Sequence, residues 1–335
     1  MKHSEAEQRA VRAGSVPKTM RAAAIDRFGG PEALAVRDVP VPKPGAQEVL
    51  IALDTAGVGG WDASFRDGSS RSESKRLPLI LGVDGAGTVV AVGSRVRRLN
   101  VGDRVYAYRY DNPRGGFYAE YVAVPAANAA RLPARLDVLH AGAIPAIALT
   151  AQQGIDDALE IKRGETLIIH GASGNVGSLA VQFAKLRGAY VLGSASGPDG
   201  AAFVRRLGAD AVVDGKREDI AAAARSFAPR GVDAVLAFVG GKALTRCLDA
   251  LRKGGRVAHP NGIEPAPKQR RGLKLKAYDG EPGVRQFERL ARAIEAANLE
   301  IPIAQSFELD EAAQAHERLA QGHVLGKIVL RIRAG

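Results

Sequence analysis

The sequence predicts an α/β protein in which a doubly wound parallel sheet is joined to a second, β-rich domain. Three observations predict it. From Thr166 onward, apolar runs of strand length alternate with helical patterns. Before Val124 the apolar runs are short and broken by Gly and Pro. Near the end, one helical stretch leads into a strand-like run, GKIVLRI, that suits the β-rich part better than the alternating part.

Residues 1–19 are polar and alanine-rich and read as a flexible extension, with folded structure starting at Met20. The runs EVLIALDTAGVG, LILGVDGAGTVVAVGS, DRVYAY and FYAEYVAVP then predict a twisted, partly closed β domain. Gly82, Gly85, Gly87 and Gly93 mark bulges or close backbone approach within it. After Pro133 the pattern turns helical, and Pro145 forces a break or restart. Strand and helix then alternate: TLIIHG with SLAVQFAKLRG, YVLGSAS with AAFVRRLG, AVVDG with REDIAAAARSF, and VDAVLAFVGG with KALTRCLDALRKGG. Such βα repeats imply right-handed crossovers and a parallel sheet covered on both faces.

The first repeat carries Ala172-x-Gly174-x-x-Gly177 between a strand and a helix. Glycines there let backbone N–H groups and a helix N-terminus approach a pyrophosphate. The same spacing also closes ordinary βα turns, so the flanking strand and helix are what favour a nucleotide site.

Composition narrows the classes. At 335 residues, 46% hydrophobic and 25% charged, the chain has ample core for two domains. No apolar stretch approaches the roughly 20 residues needed to cross a bilayer, and the start lacks the apolar core of a secretory signal. A cytoplasmic protein with no membrane partner is expected. The single cysteine, Cys247, excludes an internal disulfide and a multi-cysteine metal site, and its helical setting reads as a packed thiol. The net charge of +11 is densest at Lys268, Arg270, Arg271, Lys274 and Lys276. With aromatics at 5% and no nucleic-acid fold signature, a basic surface attracting anionic cofactors fits better than a nucleic-acid partner.

The motifs RFGGPEAL, GVDGAGTVVAVGS, GDRVYAY, GGFYAEYVAVP, TAQQGI, HGASGNVGSLAVQFAKLRGA, VDAVLAFVGG, LRKGGRV and GKIVL, in this order, resemble the zinc-independent, quinone oxidoreductase-like branch of the medium-chain dehydrogenase/reductase superfamily. The resemblance runs from about Met20 to Arg333. It implies a Rossmann doubly wound parallel sheet over 145–302 and a GroES-like β-rich catalytic domain split between 20–144 and 303–335. It also implies NADPH in the cleft between them, a small electrophilic substrate, and a homodimer formed by edge strands, for which LKLKAY is the candidate.

No metal is expected. The position resembling the family's cysteine ligand is Gly59, and its His-Glu pair is Val83-Asp84; glycine and valine carry no metal-binding atom. Asp62 and Asp84 read as residues that position backbone.

For the cofactor, the resemblance assigns Ala172, Ser173, Gly174, Asn175, Val176 and Gly177 to the pyrophosphate turn. It adds Thr150, the Phe238-Val239-Gly240 turn, the loop from His259 to Gly262, and Lys327. NAD selectivity commonly uses an acidic side chain at the end of the second strand. Here Ala195 stands there between Ser194 and Ser196, which leaves room for a 2′-phosphate. The lysine and tyrosine that many relatives turn to that phosphate are Gly200 and Gly215. Lys216, Arg205 and Arg206 are the candidate replacements or else solvent-facing charge, and Asp199 opposes an anion.

The substrate side is expected around Trp61, Asp62 and Ser64, the last standing where some relatives carry a tyrosine. No single side chain reads as the catalytic residue. Three readings stay open: hydride transfer to a quinone or similar electron-poor carbonyl, reduction of an enone or enoyl-thioester double bond, and a non-catalytic NADPH-binding regulatory role.

Overall fold

The structure, a computed structural model, describes residues 16–70 and 76–333. Most of the expected N-terminal extension, residues 1–15, lies outside the described residues. The β-rich part begins with β1 (Thr19–Ile25), one residue before the expected start, and continues through β2 (Leu34–Pro40), β3 (Glu48–Val58) and helix α1 (Gly60–Asp67). It then forms β4 (Leu79–Ile80), β5 (Asp84–Val92), β6 (Arg104–Tyr108), β7 (Tyr121–Pro125) and β8 (Ala129–Arg131). Helices α2 (Val138–Ala143) and α3 (Pro145–Gln153) follow, and Pro145 restarts the helix at its first position, where its missing N–H costs no hydrogen bond.

The alternating part runs β9 (Thr166–His170), α4 (Asn175–Leu186), β10 (Tyr190–Ala195), α5 (Gly197–Arg206), β11 (Ala211–Asp214) and α6 (Ile220–Phe227). It closes with β12 (Val232–Ala237), α7 (Lys242–Asp249), β13 (Leu251–Pro260), β14 (Lys274–Tyr278) and α8 (Val284–Ala296). The chain then returns as β15 (Ile303–Glu308), α9 (Ala312–Ala320) and β16 (Lys327–Arg331).

One expected element is shorter. The helical run from Lys242 stops at Asp249, because Leu251 pairs with Val232 in the parallel sheet and Gly254, at φ 77°, sits in a left-handed turn.

Strands β9–β14 form one six-stranded parallel sheet in the order β11-β10-β9-β12-β13-β14. Alternate residues of β9 feed opposite faces. Leu167 and Ile169 join the cluster holding Leu179 and Phe183 of α4, while Ile168 joins the one holding Leu244 and Cys247 of α7. That division is what a doubly wound sheet requires of a strand buried on both sides. The β-rich sheet runs β15-β16-β3-β5-β6-β8, with β7 also on β3, and a three-stranded sheet β2-β1-β4 lies beside it. The last strand, β16, thus pairs antiparallel with β3 (Ile328 with Val58, Arg331 with Thr55). Gly87 carries the close approach expected of it: a Cβ there would lie 2.0 Å from the Ala52 carbonyl oxygen.

Candidate functional site at the switch point of the parallel sheet

In the parallel sheet the strand order reverses between β9 and β12, so the crossovers on either side leave toward opposite faces and open a crevice at the carboxyl ends of those strands. The glycine-rich turn sits there. Gly171, at φ 84°, turns the chain out of β9, the Ala172 N–H bonds the Ser194 carbonyl at 2.9 Å, and Gly174 caps α4. The glycines of the turn do different work. A Cβ on Gly177 would lie 2.2 Å from the Gly171 carbonyl oxygen, so only glycine lets the helix pack on the turn. A Cβ on Gly174 would meet nothing nearer than 3.4 Å, so that glycine leaves the outer side of the turn open. Open N–H groups at the start of a twelve-residue helix form a ready site for a pyrophosphate.

The cleft around the turn encloses about 390 Å³. Of the expected cofactor residues, Ser173, Gly174, Ser194, Ala195, Ser196, Val239 and Gly240 line it. Ala172 is fully buried beneath it, Val176 and Phe238 pack onto the core, and Asn175 and Gly177 form the first turn of α4. Thr150 and Lys327 do not line it. The Thr150 hydroxyl donates to the Ala146 carbonyl at 2.8 Å inside α3. Lys216 does line the cleft, whereas Arg205 and Arg206 do not, and Arg206 pairs with Glu300 at 2.6 Å.

Sequence reading missed His323, Val324 and Leu325, which close the cleft from the loop between α9 and β16. No local pattern announces them, because they reach the site only through the return of the chain. Their backbone does carry a sign, since His323 is one of two described non-glycine residues at positive φ (50°).

Ser194 is 3% exposed and acts as a pin: its hydroxyl oxygen accepts the Gly171 N–H at 3.1 Å and lies 2.7 Å from His170 Nδ1. Burial pushes His170 down to about 4, so its ring is neutral at neutral pH.

The expected substrate-side residues lie on α1, and the structure brings two of the three to a buried polar cluster. Asp62 accepts the Gly59 N–H at 2.7 Å, and Asp84 accepts the Ala146 N–H at 2.9 Å, at the start of α3. Both therefore hold backbone in place. Lys327 joins them: it is 1% exposed, and its Nζ lies 4.8 Å from the centroid of the Trp61 ring. Burial raises both carboxyls, Asp62 to about 7, while the Lys327 charge opposes that rise. The second oxygens of Asp62 and Asp84, Trp61 Nε1 and Lys327 Nζ have no hydrogen-bond partner among the described residues. Ser64 stays outside the cluster, its hydroxyl donating to the Gly60 carbonyl at 3.4 Å.

A directed chain runs from Arg66 through His316 to Tyr118. Arg66 can only donate, so its contact to His316 Nδ1 at 2.8 Å places the imidazole hydrogen on Nε2, which donates to the Tyr118 oxygen at 3.2 Å. Burial and the neighbouring Asp62 charge keep the Tyr118 phenol protonated. Burial and the Arg66 charge push His316 down to about 3, which keeps it neutral.

Gly59 and Val83 stand beside this cluster without a metal-binding atom, and among the described residues no group of three or more His, Cys, Asp or Glu side chains is placed to hold a metal. No helix among the described residues is long and apolar enough to cross a membrane.

Two family models match the chain: an alcohol dehydrogenase GroES-like domain over residues 45–134 and a zinc-binding dehydrogenase domain over residues 207–330. A quinone oxidoreductase of Lama guanicoe is 33% identical over 330 residues, covering 94% of this chain and 98% of that protein. The solved quinone oxidoreductase of Coxiella burnetii superposes with a TM-score of 0.87 at 31% identity, covering 94% of this chain and all of that one (100%). A mycobacterial structure in complex with NADPH superposes with a TM-score of 0.84 at 28% identity, covering 93% of this chain and 100% of that one.

Proposed function

From the premise that the chain belongs to the medium-chain dehydrogenase/reductase superfamily, in its quinone oxidoreductase-like branch, we propose that this NAD(P)-dependent oxidoreductase uses NADPH to reduce a quinone or similarly electron-poor carbonyl acceptor, without a catalytic zinc. The observation that carries the reading is the cleft itself. A glycine cradle opens onto the start of α4, and the end of β10 presents Ala195 between two serines where an NAD-selective site commonly places an acid. The mycobacterial neighbour's complex with NADPH supports the same choice.

When bound, the cofactor supplies the hydride. This chain's residues bind and orient: the N–H groups of the turn from Ser173 meet the pyrophosphate, Ser194 keeps the turn in place, and Val239 and Leu325 cover the cleft with apolar surface. An acceptor that already delocalises negative charge onto oxygen needs orientation and exclusion of water more than a Lewis acid. The buried ammonium of Lys327, facing Asp62 and Asp84, gives the catalytic domain a fixed positive charge beside the positions where the resemblance places metal ligands.

The test is NADPH oxidation measured with a panel of quinones and enones, before and after dialysis against a zinc chelator. Turnover of quinones unaffected by the chelator is expected. Turnover of enones alone would move the acceptor to activated double bonds, and loss of activity restored by zinc would overturn the metal-free reading.

A further inference from the structure

Two acidic side chains stand near the ends of β10 and β11, beside the cleft, and each is engaged by a partner. Asp214, 8% exposed, accepts the Gly197 N–H at 3.2 Å and the Lys216 N–H at 3.0 Å, so its charge is spent on backbone donors. Asp199, in the first turn of α5, lies 2.7 Å through Oδ2 from His323 Nε2. That contact comes from the opposite wall, since His323 belongs to the loop leading into β16 of the other sheet.

Two nitrogen-bearing side chains, Lys216 and His323, remain at this end. Lys216 lines the cleft and forms no ion pair with any described residue, and His323 lines the same cleft. Ser196 adds a small hydroxyl to the same lining. His323 also holds a left-handed backbone conformation that ordinary residues rarely adopt, so the loop presents its side chain at a local cost.

We propose that Lys216 and His323 together recognise the phosphate on the adenosine ribose of NADPH, with Asp199 a positioning residue that holds His323 at the cleft. The inference rests on the NADPH reading above and replaces the contacts missing at Gly200 and Gly215 with two from separate domains. The Asp199 carboxylate only accepts, so Nε2 of His323 carries the hydrogen of that contact and Nδ1 is the ring nitrogen left for a ligand. Without His323, the Asp199 carboxylate beside the cleft would lose that partner, and like charges repel.

The test is equilibrium binding, with no turnover needed: dissociation constants for NADPH and NADH are measured by titration for the wild type, Lys216→Ala, His323→Ala and the double variant His323→Ala/Asp199→Ala. The expected result is a preference for NADPH in the wild type that falls about tenfold in each single variant, while NADH affinity stays within about twofold. The double variant should regain part of the preference, because the carboxylate uncovered by losing His323 is gone; a merely structural role for His323 would give no such rescue. Single variants that keep the wild-type preference, or a double variant no better than His323→Ala, overturn the inference. A wild type that binds NADH as tightly as NADPH overturns instead the reading on which it rests.

Discussion

Lys327 Nζ lies 4.8 Å from the centroid of the Trp61 ring, in a side chain only 1% exposed that begins the last strand of the fold. The ammonium faces two fully buried carboxylates, Asp62 and Asp84, and removing it leaves both uncompensated. Lys327→Met, which keeps most of the volume, should lower stability by about 3–5 kcal/mol at pH 8, and by less at pH 5 where the carboxyls take up protons. Denaturant unfolding at the two pH values measures this, and an unchanged midpoint at pH 8 would sink the cluster as described.

Asp62 itself should leave a mark on the pH dependence. Burial raises its carboxyl from the ordinary value of 3.8 to about 7, so the folded state favours the protonated form. Its contribution to stability is therefore complete below about pH 4 and is lost as pH rises toward 7. Asp62→Asn, whose amide oxygen can still accept the Gly59 N–H, should flatten the stability curve between pH 4 and 7 relative to the wild type. Equal slopes for the two proteins would refute the assignment.

Two glycines of one turn should fail in different ways. Gly174→Asp has room for its Cβ and should fold normally, yet lose at least about tenfold in NADPH affinity by setting a carboxylate against the pyrophosphate. Gly177→Ala, whose Cβ would sit 2.2 Å from the Gly171 carbonyl oxygen, should instead cost about 1–3 kcal/mol of stability. Parallel titration and thermal unfolding of both variants separate these effects.

Cys247 is fully buried on α7, and burial pushes its thiol up to about 12. A disulfide reagent at pH 8 should leave the native protein untouched and modify one thiol per chain on unfolding. Rapid labelling of the native state would contradict the packing of α7 against the sheet.

Strand β14 is the outermost strand of the parallel sheet, and Lys274, Leu275 and Lys276 lie along it. The resemblance implies that two copies pair at this edge, and sedimentation equilibrium should then give the mass of two chains. A single-chain mass would mean that the lysines guard the edge against pairing instead.

Local signals were legible where a single stretch of chain settles the structure. The run from Leu167 to Gly177 specified a strand, a turn and a helix because apolar period and glycine geometry act within a few residues. Pro145 marked a helix restart for the same reason. The helix from Lys242 was overextended because its end at Asp249 is decided by the pairing of Leu251 with Val232, which no neighbouring residue encodes. The site divides similarly. Ser194 and Ala195 could be placed at the cleft from their strand, but the engagement of Ser194 with His170 and Gly171 depends on two adjacent strands in register. Lys327 and His323 acquire their partners, Asp62 and Asp84 for the one and Asp199 for the other, only when the later part of the chain returns to residues far earlier in sequence.

That return sets an order on synthesis. Residues 166–278, which build the whole parallel sheet, emerge from the ribosome before β16, whereas β3 must wait for β16 before its second neighbour on that side exists. Until then Asp62 and Asp84 face no buried cation, and burying them is unfavourable. The nucleotide-binding half can thus mature first, while the half bearing Trp61 stays hydrated and open until β16 arrives. A nascent chain cut short before Lys327 would keep its cofactor turn and yet never seal its catalytic side.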